Sequence, residues 1–421
     1  MSSTAGGTAL RILEHLRSRE QEMARLLKRL SEAESPSLSP ETQVGPQSIL
    51  RLELERLGLV VRHIPGVVSG GHLLAIPHAR DKRRSVQLMI GHCDTVWDVG
   101  TLATMPAVYR NGRLFGPGTY DMKGGLVNIV FALRALQSLR LEPEVTPIVL
   151  INSDEEIGSS DSMRHIKRLA KVSERVFVLE PALGPDGKLK TARKGNGFFE
   201  VRVLGRAAHA GLEPERGASA ILELSMVIQK LFALNDPERG VTVNVGTIDG
   251  GLRTNIVAPE SRATVDVRFL SLEDARRVEA EILALEPSTP GPELVVTGSI
   301  NRPPMERTPG NQFLWQAAER AGRALGMDLE QGTSGGGSDG NITSLFTPTL
   351  DGLGPMGDGA HARHEHVLVS SLPERAALLA TLLLEPSMLE IARASQGIPL
   401  REEAEAMLRG INDHVHRRPR A

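Results

Sequence analysis

Residues 147–158 read PIVLINSDEEIG. Ile148, Val149, Leu150 and Ile151 form a continuous apolar run, short enough for an interior strand buried on both faces of a parallel sheet. Asp154, Glu155 and Glu156 follow at once, then Gly158. Three adjacent carboxylates at the end of a buried strand repel one another and resist desolvation, so a positive partner is expected beside them. In open α/β sheets, ligands bind beyond the carboxyl ends of the strands. The stretch reads either as half of a metal site or as a solvated acidic loop, and its neighbours in sequence bear on the choice.

Val86 to Ile90 reads as another buried strand and runs into Gly91-His92-Cys93-Asp94-Thr95-Val96. An aspartate two residues after a histidine can hold the second imidazole nitrogen and fix its tautomer. If strand alternation continues, Cys93 points away from His92 and serves as a small buried hydrophobe. Gly116-Pro117-Gly118-Thr119-Tyr120-Asp121-Met122-Lys123-Gly124-Gly125 then leads into an apolar helix, Leu126 to Leu139. Asp121 there is either a helix N-cap or a ligand on a rigid loop. The loop lacks the Gly-Lys-Ser/Thr pattern of a phosphate-binding loop. Val176 to Leu179 is a third short apolar run, ended by Glu180-Pro181. Three successive strands ending in His or carboxylate make a metal cluster the better reading.

The 421 residues exceed what one core usually holds, so two domains are expected. A net charge of -2 argues against a general nucleic-acid binder. The single cysteine, Cys93, rules out a disulfide within the chain and fits a reducing compartment. No segment has the apolar length to span a bilayer, and MSSTAGGTALRILEHLRSRE is too charged for a secretory signal, so the expectation is a cytoplasmic protein with no membrane and no nucleic-acid partner. Helical spacing runs from about Leu10 to Leu30 and again from Ser48 to Leu57, and Asp81-Lys82-Arg83-Arg84 reads as a solvated turn.

The texture changes at Asn196. Phe199, Val201 and Val203 alternate with Glu200 and Arg202, as do Val241, Val243, Val245 and Ala263, Val265, Val267, Phe269. With helices over Ala218 to Leu234 and Leu272 to Leu285 and a strand over Leu294 to Thr297, the order is β-α-β-β-α-β, the ferredoxin-like arrangement. This predicts an inserted domain, 196–308, within a discontinuous catalytic domain, 1–195 and 309–421. Beyond Pro309 come a helix over Gln312 to Leu325, a Gly-rich stretch from Thr333 to Gly340 and a closing helix, Leu372 to Leu384; Glu385 to Ala421 reads as a surface helix with a basic tail.

Five motifs occur in order: GHCDTV, GPGTYDMKGG, SDEEIGS, LEP and GDGAHARHEH. Together they resemble those of the M20 family of metallopeptidases, over most of the chain from roughly Leu50 to Leu384. The resemblance implies an α/β fold: a zinc-exopeptidase-like catalytic domain with a central, mostly parallel sheet, interrupted by a lid through which two copies dimerise. It further implies two zinc ions, with cobalt or manganese as possible substitutes. Asp121 would bridge them, His92 and Glu180 would complete one site, and Glu156 and His361 the other. Asp94 would orient His92, and Glu155 would be the general base. His209 would reach the partner's active site as an oxyanion donor or else be a satisfied polar residue of the lid. Asn255 and Arg268 would handle the substrate's polar end, Arg268 by gripping a carboxylate unless it merely pairs with a lid acid.

Amide hydrolysis needs an activated water, a polarised carbonyl and a protonated leaving amine. Two ions about 3.5–4 Å apart suit this, and a carboxylate must bridge cations held so close. The adjacent Glu155 and Glu156 must then differ in role, one binding metal and the other moving the proton. Glu180, rather than Asp, in the LEP motif resembles the carboxypeptidases and deacylases of the family. The expected activity is a carboxypeptidase that releases a C-terminal amino acid such as glutamate from a small peptide. The alternative within enzymes is an N-acyl amino acid deacylase. From a different class, the chain could be an inactive metal-binding scaffold, although Glu155 would be useless there.

Overall fold

The computed structural model describes residues 2–79, 81 and 84–388. Lys82 and Arg83 of the expected turn, and the expected tail from 389 on, lie outside them. The chain divides into two compact units. The first comprises the chain up to Thr191, Arg307–Thr333 and the chain from Ser338, and the second comprises Ala192–Glu306 with Ser334–Gly337.

The first unit is built on a six-stranded sheet. Its spatial order is Leu59–Ile64, His72–Pro77, Thr146–Asn152, Val86–His92, Ser173–Val178, Thr349–Leu350. The last four strands run parallel, whereas His72–Pro77 pairs antiparallel with both of its neighbours, Leu59–Ile64 and Thr146–Asn152. The sheet is therefore mixed but mostly parallel, with only His72–Pro77 running against the other strands. The short connection between Ile64 and His72 can make only an antiparallel hairpin, because a parallel return needs a crossover of a dozen or more residues.

Alternation splits the central strands between two cores. Met89, Val149, Ile151 and Phe177 face one core, with the buried helices Gly124–Ser138 and Ser371–Leu383. Leu88, Ile90, Ile148, Leu150, Val176 and Val178 face the other, with Ile166 and Ile342. Cys93 joins the first of these cores, with its thiol pushed up to about 12 by burial. The helical pattern over Leu10 to Leu30 is two helices, Ser2–Arg17 and Glu20–Glu32. At the break, the Ser18 hydroxyl turns back to donate to the His15 carbonyl.

Parallel register matters most at the rim. His92 lies opposite Asn152, and Ile90 opposite Val178. The three chains that leave these strands therefore emerge side by side, carrying Cys93-Asp94, Ser153 to Glu156, and Leu179-Glu180. A second, small sheet in the order Gly357–Asp358, His366–Leu368, Arg113–Phe115, Val108–Arg110 ties the His361 loop to the Gly116–Asp121 loop.

The second unit has its elements in the order strand, helix, strand, strand, helix, strand, from Gly195–Leu204 to Glu293–Arg302. Its sheet is antiparallel with spatial order Thr242–Gly250, Glu260–Phe269, Gly195–Leu204, Glu293–Arg302. One face packs on the helices Ala220–Ala233 and Leu272–Leu283. Ser219 and Ser271 cap these helices by accepting from the Leu222 and Asp274 amides. No helix among the described residues is long and apolar enough to cross a membrane.

One packing contact links the core to the rim. A Cβ at Gly125, in the first turn of its helix, would lie 1.9 Å from the Leu179 carbonyl oxygen. Gly125→Ala must push that helix off the strand end that carries Glu180, so it is expected to destabilise the protein by about 2–3 kcal/mol or more. Denaturant melts of the two proteins check this, and equal midpoints would contradict it.

Candidate metal centre

Asp94 is fully buried and serves two loops at once. Its Oδ1 lies 3.4 Å from His92 Nδ1, and the Asp94 carbonyl oxygen lies closer still, 3.1 Å from the same nitrogen. The carboxylate also accepts from the Glu155 and Glu156 amides at 3.3 and 3.2 Å and from the Ser37 hydroxyl at 2.7 Å. Burial works against the charged form, but these donors prevail and hold the Asp94 carboxyl below its ordinary range. One carboxylate thus orients the imidazole and fixes the short turn Glu155–Ile157.

With Nδ1 engaged, His92 Nε2 points into the rim. It sits 3.4 Å from Asp121 Oδ1 and 3.4 Å from Glu180 Oε1. On the other side of Asp121, His361 Nε2 lies 3.5 Å from Oδ2 and 3.0 Å from Glu156 Oε2. The result is two groups of candidate ligands, His92, Asp121, Glu180 and Asp121, Glu156, His361, each with its ligand atoms within 4.8 Å of one another. Asp121 belongs to both. Its side chain caps no helix, and the residue lies in the irregular turn Thr119–Lys123, ahead of the helix.

This donor set fits metal ions. Atoms bound about 2.0–2.1 Å from a shared tetrahedral ion lie about 3.3–3.4 Å apart, which is the spacing around His92 Nε2. That buried nitrogen and Glu156 Oε1 have no hydrogen-bond partner. Histidine and carboxylate together suit zinc, and also cobalt or manganese. Burial alone would push the His92 imidazolium down, but Asp121, Asp94 and Glu180 outweigh it and leave the group well above its usual range. Glu156 raises His361 to about 9, and burial raises Glu156 itself. Each shift records negative charge crowded where little water reaches. The crowding is uneven: the His92 side chain is 1% exposed and that of His361 52%. His361 also adopts a left-handed backbone conformation, φ 60°.

His364 and His366, which crowd the same motif, point elsewhere. His364 lies 3.7 Å from Asp358, and His366 packs against the Phe115 ring. His209, Asn255 and Arg268 belong to the second unit. There the exposed His209 accepts through Nδ1 from the Gly211 and Leu212 amides, and the Asn255 carbonyl accepts from the Ala210 amide. Arg268 is already engaged in two bonds to Asp266, at 2.8 and 2.9 Å.

The roles of several supporting residues escaped the sequence reading. Glu365 is buried and accepts four hydrogen bonds, from the amides of Gly118, Tyr120 and Asp121 and from Trp97 Nε1, at 2.8–3.1 Å. It thereby clamps the loop that carries Asp121, although burial pushes its carboxyl up to about 7. Its spacing of four residues after His361 was the only signal. Asp154 accepts from the Asp161 and Ser162 amides, closing the far end of the SDEEIG turn. Asp339, from the Gly-rich stretch, accepts from Asn152 Nδ2 and the Ser159 hydroxyl and so grips that turn on both sides.

The model of peptidase family M20/M25/M40 matches residues 88–385. Carboxypeptidase G2 of Pseudomonas sp. (strain RS-16) is 29% identical over 369 residues, covering 85% of this chain and 88% of its own. Succinyl-diaminopimelate desuccinylase of Stenotrophomonas maltophilia (strain R551-3) is 26% identical over 355 residues, with 80% and 92% covered. Among solved structures, aminopeptidase PepT of Bacillus cereus shares the fold with a TM-score of 0.70 at 22% identity, covering 88% of this chain and 98% of its own. Because the matched span takes in His92, Asp121, Glu156, Glu180 and His361 alike, the chain belongs to peptidase family M20/M25/M40.

Proposed function

We infer that the chain is a two-metal amidohydrolase acting on a small peptide with a free carboxylate, from which it releases a C-terminal amino acid such as glutamate. Family membership makes it a metal-dependent hydrolase. The observation that carries the finer reading is the pair of ligand groups joined through Asp121. In this reading His92, Asp121 and Glu180 hold one zinc ion and Asp121, Glu156 and His361 the other. Bound there, the ions lower the pKa of water and polarise the scissile carbonyl. Glu155, held by Asp94 through its amide, takes the proton from the attacking water and passes it to the leaving nitrogen. His209 is the candidate oxyanion donor, supplied by the second copy of a homodimer, and Asn255 with Arg268 meets the substrate's polar end. The similarity to carboxypeptidase G2 supports release of an amino acid. The similarity to a desuccinylase supports the alternative, an N-acyl amino acid deacylase. A single buried Cys93 supports a cytoplasmic setting.

Glu155→Gln is expected to retain both metals and lose kcat by about 10²–10⁴-fold. Steady-state kinetics alongside metal analysis test it, and undiminished turnover in a metal-replete variant would sink the assignment. Assays on peptides ending in glutamate and on N-acetyl and N-succinyl amino acids separate the two substrate classes by which product appears.

Glu365→Gln keeps the shape of the clamp but offers one acceptor oxygen in place of two. Two of its four donors then face an amide NH₂, at about 1–3 kcal/mol each. Zinc affinity, read by competition with a chromophoric chelator, is expected to fall about 10–100-fold; unchanged affinity would refute the clamp.

In the metal-free protein His361, raised to about 9, carries a proton at neutral pH, which an incoming ion must displace. Apparent metal affinity is therefore expected to rise with pH from 6 towards about 9, with protons released on binding. Calorimetry in buffers of different ionisation enthalpy measures that release. Binding that is indifferent to pH over this window would argue against His361 as a ligand.

A further inference from the structure

Away from the metal centre, three helices of the first unit meet around a second charged hollow, of about 370 Å³. Arg25 and Arg29 reach it from Glu20–Glu32, Arg56 from the end of Val44–Glu55, and Arg134 from Gly124–Ser138. Glu22 and Glu53 line it too, so four positive charges face two negative ones in a chain whose net charge is -2.

Three of the four arginines converge on a single buried group. Glu53, with its side chain 7% exposed, accepts from Arg56 at 2.9 Å and from Arg134 at 2.7 Å, and Arg29 stands 3.8 Å away. Arg134 also lies 3.7 Å from Glu22 and over the Phe131 ring. Glu22 is itself shared with Arg19, at 2.7 Å. Two carboxylates thus serve as counter-ions for more guanidinium groups than they can neutralise. Like charges held this close repel, and partial burial weakens the screening that water would supply. Arg29 and Arg56 keep exposed donors, with side chains 54% and 68% exposed. These donors approach from separate helices and so from separate directions. A planar carboxylate takes two donors in one plane, whereas a tetrahedral oxyanion takes donors from several sides.

We propose that this hollow is a binding site for a phosphoryl group, free or carried on a small molecule. It is distinct from the metal centre. Ten residues of one helix separate Arg134 from Gly124, about 15 Å of rise.

The metal-loaded enzyme, titrated calorimetrically with inorganic phosphate and with pyrophosphate at constant ionic strength in chloride, is expected to bind one ligand per chain saturably. A variant carrying Arg25→Ala and Arg29→Ala, both exposed, is expected to bind at least tenfold more weakly with unchanged peptidase activity and melting temperature. Arg29→Lys, which keeps the charge and loses the fork, is expected to weaken binding as well. Absence of saturable binding to the wild-type enzyme overturns the proposal. So does full retention in the double variant, which would place the anion at the metals. Tighter binding of citrate than of pyrophosphate overturns the phosphoryl assignment.

Discussion

The bonds made by the Asp94 carboxylate are the constraint on which the rest of the centre depends. Parallel pairing brings His92 and Asn152 to the same level of the sheet, but register alone does not fix where the following loops point. Asp94 does so by facing the imidazole of one strand end while accepting the amides of Glu155 and Glu156 from the next. A buried carboxylate with several donors is strongly favoured as an anion, and removing any donor exposes it to the full cost of burial. The geometry on either side is therefore coupled. His92 cannot turn without disturbing the turn that presents Glu155 and Glu156.

Around this anchor the protein gathers four carboxylates and two imidazoles, all but His361 largely withdrawn from solvent. The cluster is destabilised by its own charge, as the raised Glu156, His92 and His361 all record. Strain of this kind is characteristic of functional sites, where the fold over-determines an arrangement that the local chain would not adopt. The surroundings supply the over-determination. Glu365, Asp154 and Asp339 each grip a loop at more than one point, and each comes from outside the segment it holds or closes that segment's far end.

These two layers differ in how legible they are in the amino-acid order. His92, Glu156 and Glu180 could be read because each follows an apolar run, and a carboxylate or histidine after a buried strand violates the usual segregation of polar from apolar; Asp121 and His361 lie in Gly-rich loops and stood out only through the motifs' resemblance to a known family. Of the supporting residues, Glu365 and Asp339 carry no such mark. Glu365 lies in a polar loop among other polar residues, and only its four donors, distant in sequence, give it meaning. The small sheet that joins the His361 loop to the Asp121 loop is built from strands of two or three residues, too short for a period-2 pattern to register. The antiparallel edge of the main sheet is set by a short connection rather than by hydropathy, because an apolar pattern does not record which way a strand runs. The break between the first two helices is similarly silent, since Ser18 and Arg19 interrupt the backbone without interrupting the apolar spacing.

The unequal burial of the two histidines has a kinetic corollary. In the proposed two-metal reading, a cation against His92 would be enclosed by strand ends, whereas one against His361 would have solvent on one flank. The proposed pair would thus have a front and a back, with exchange beginning at the wet end.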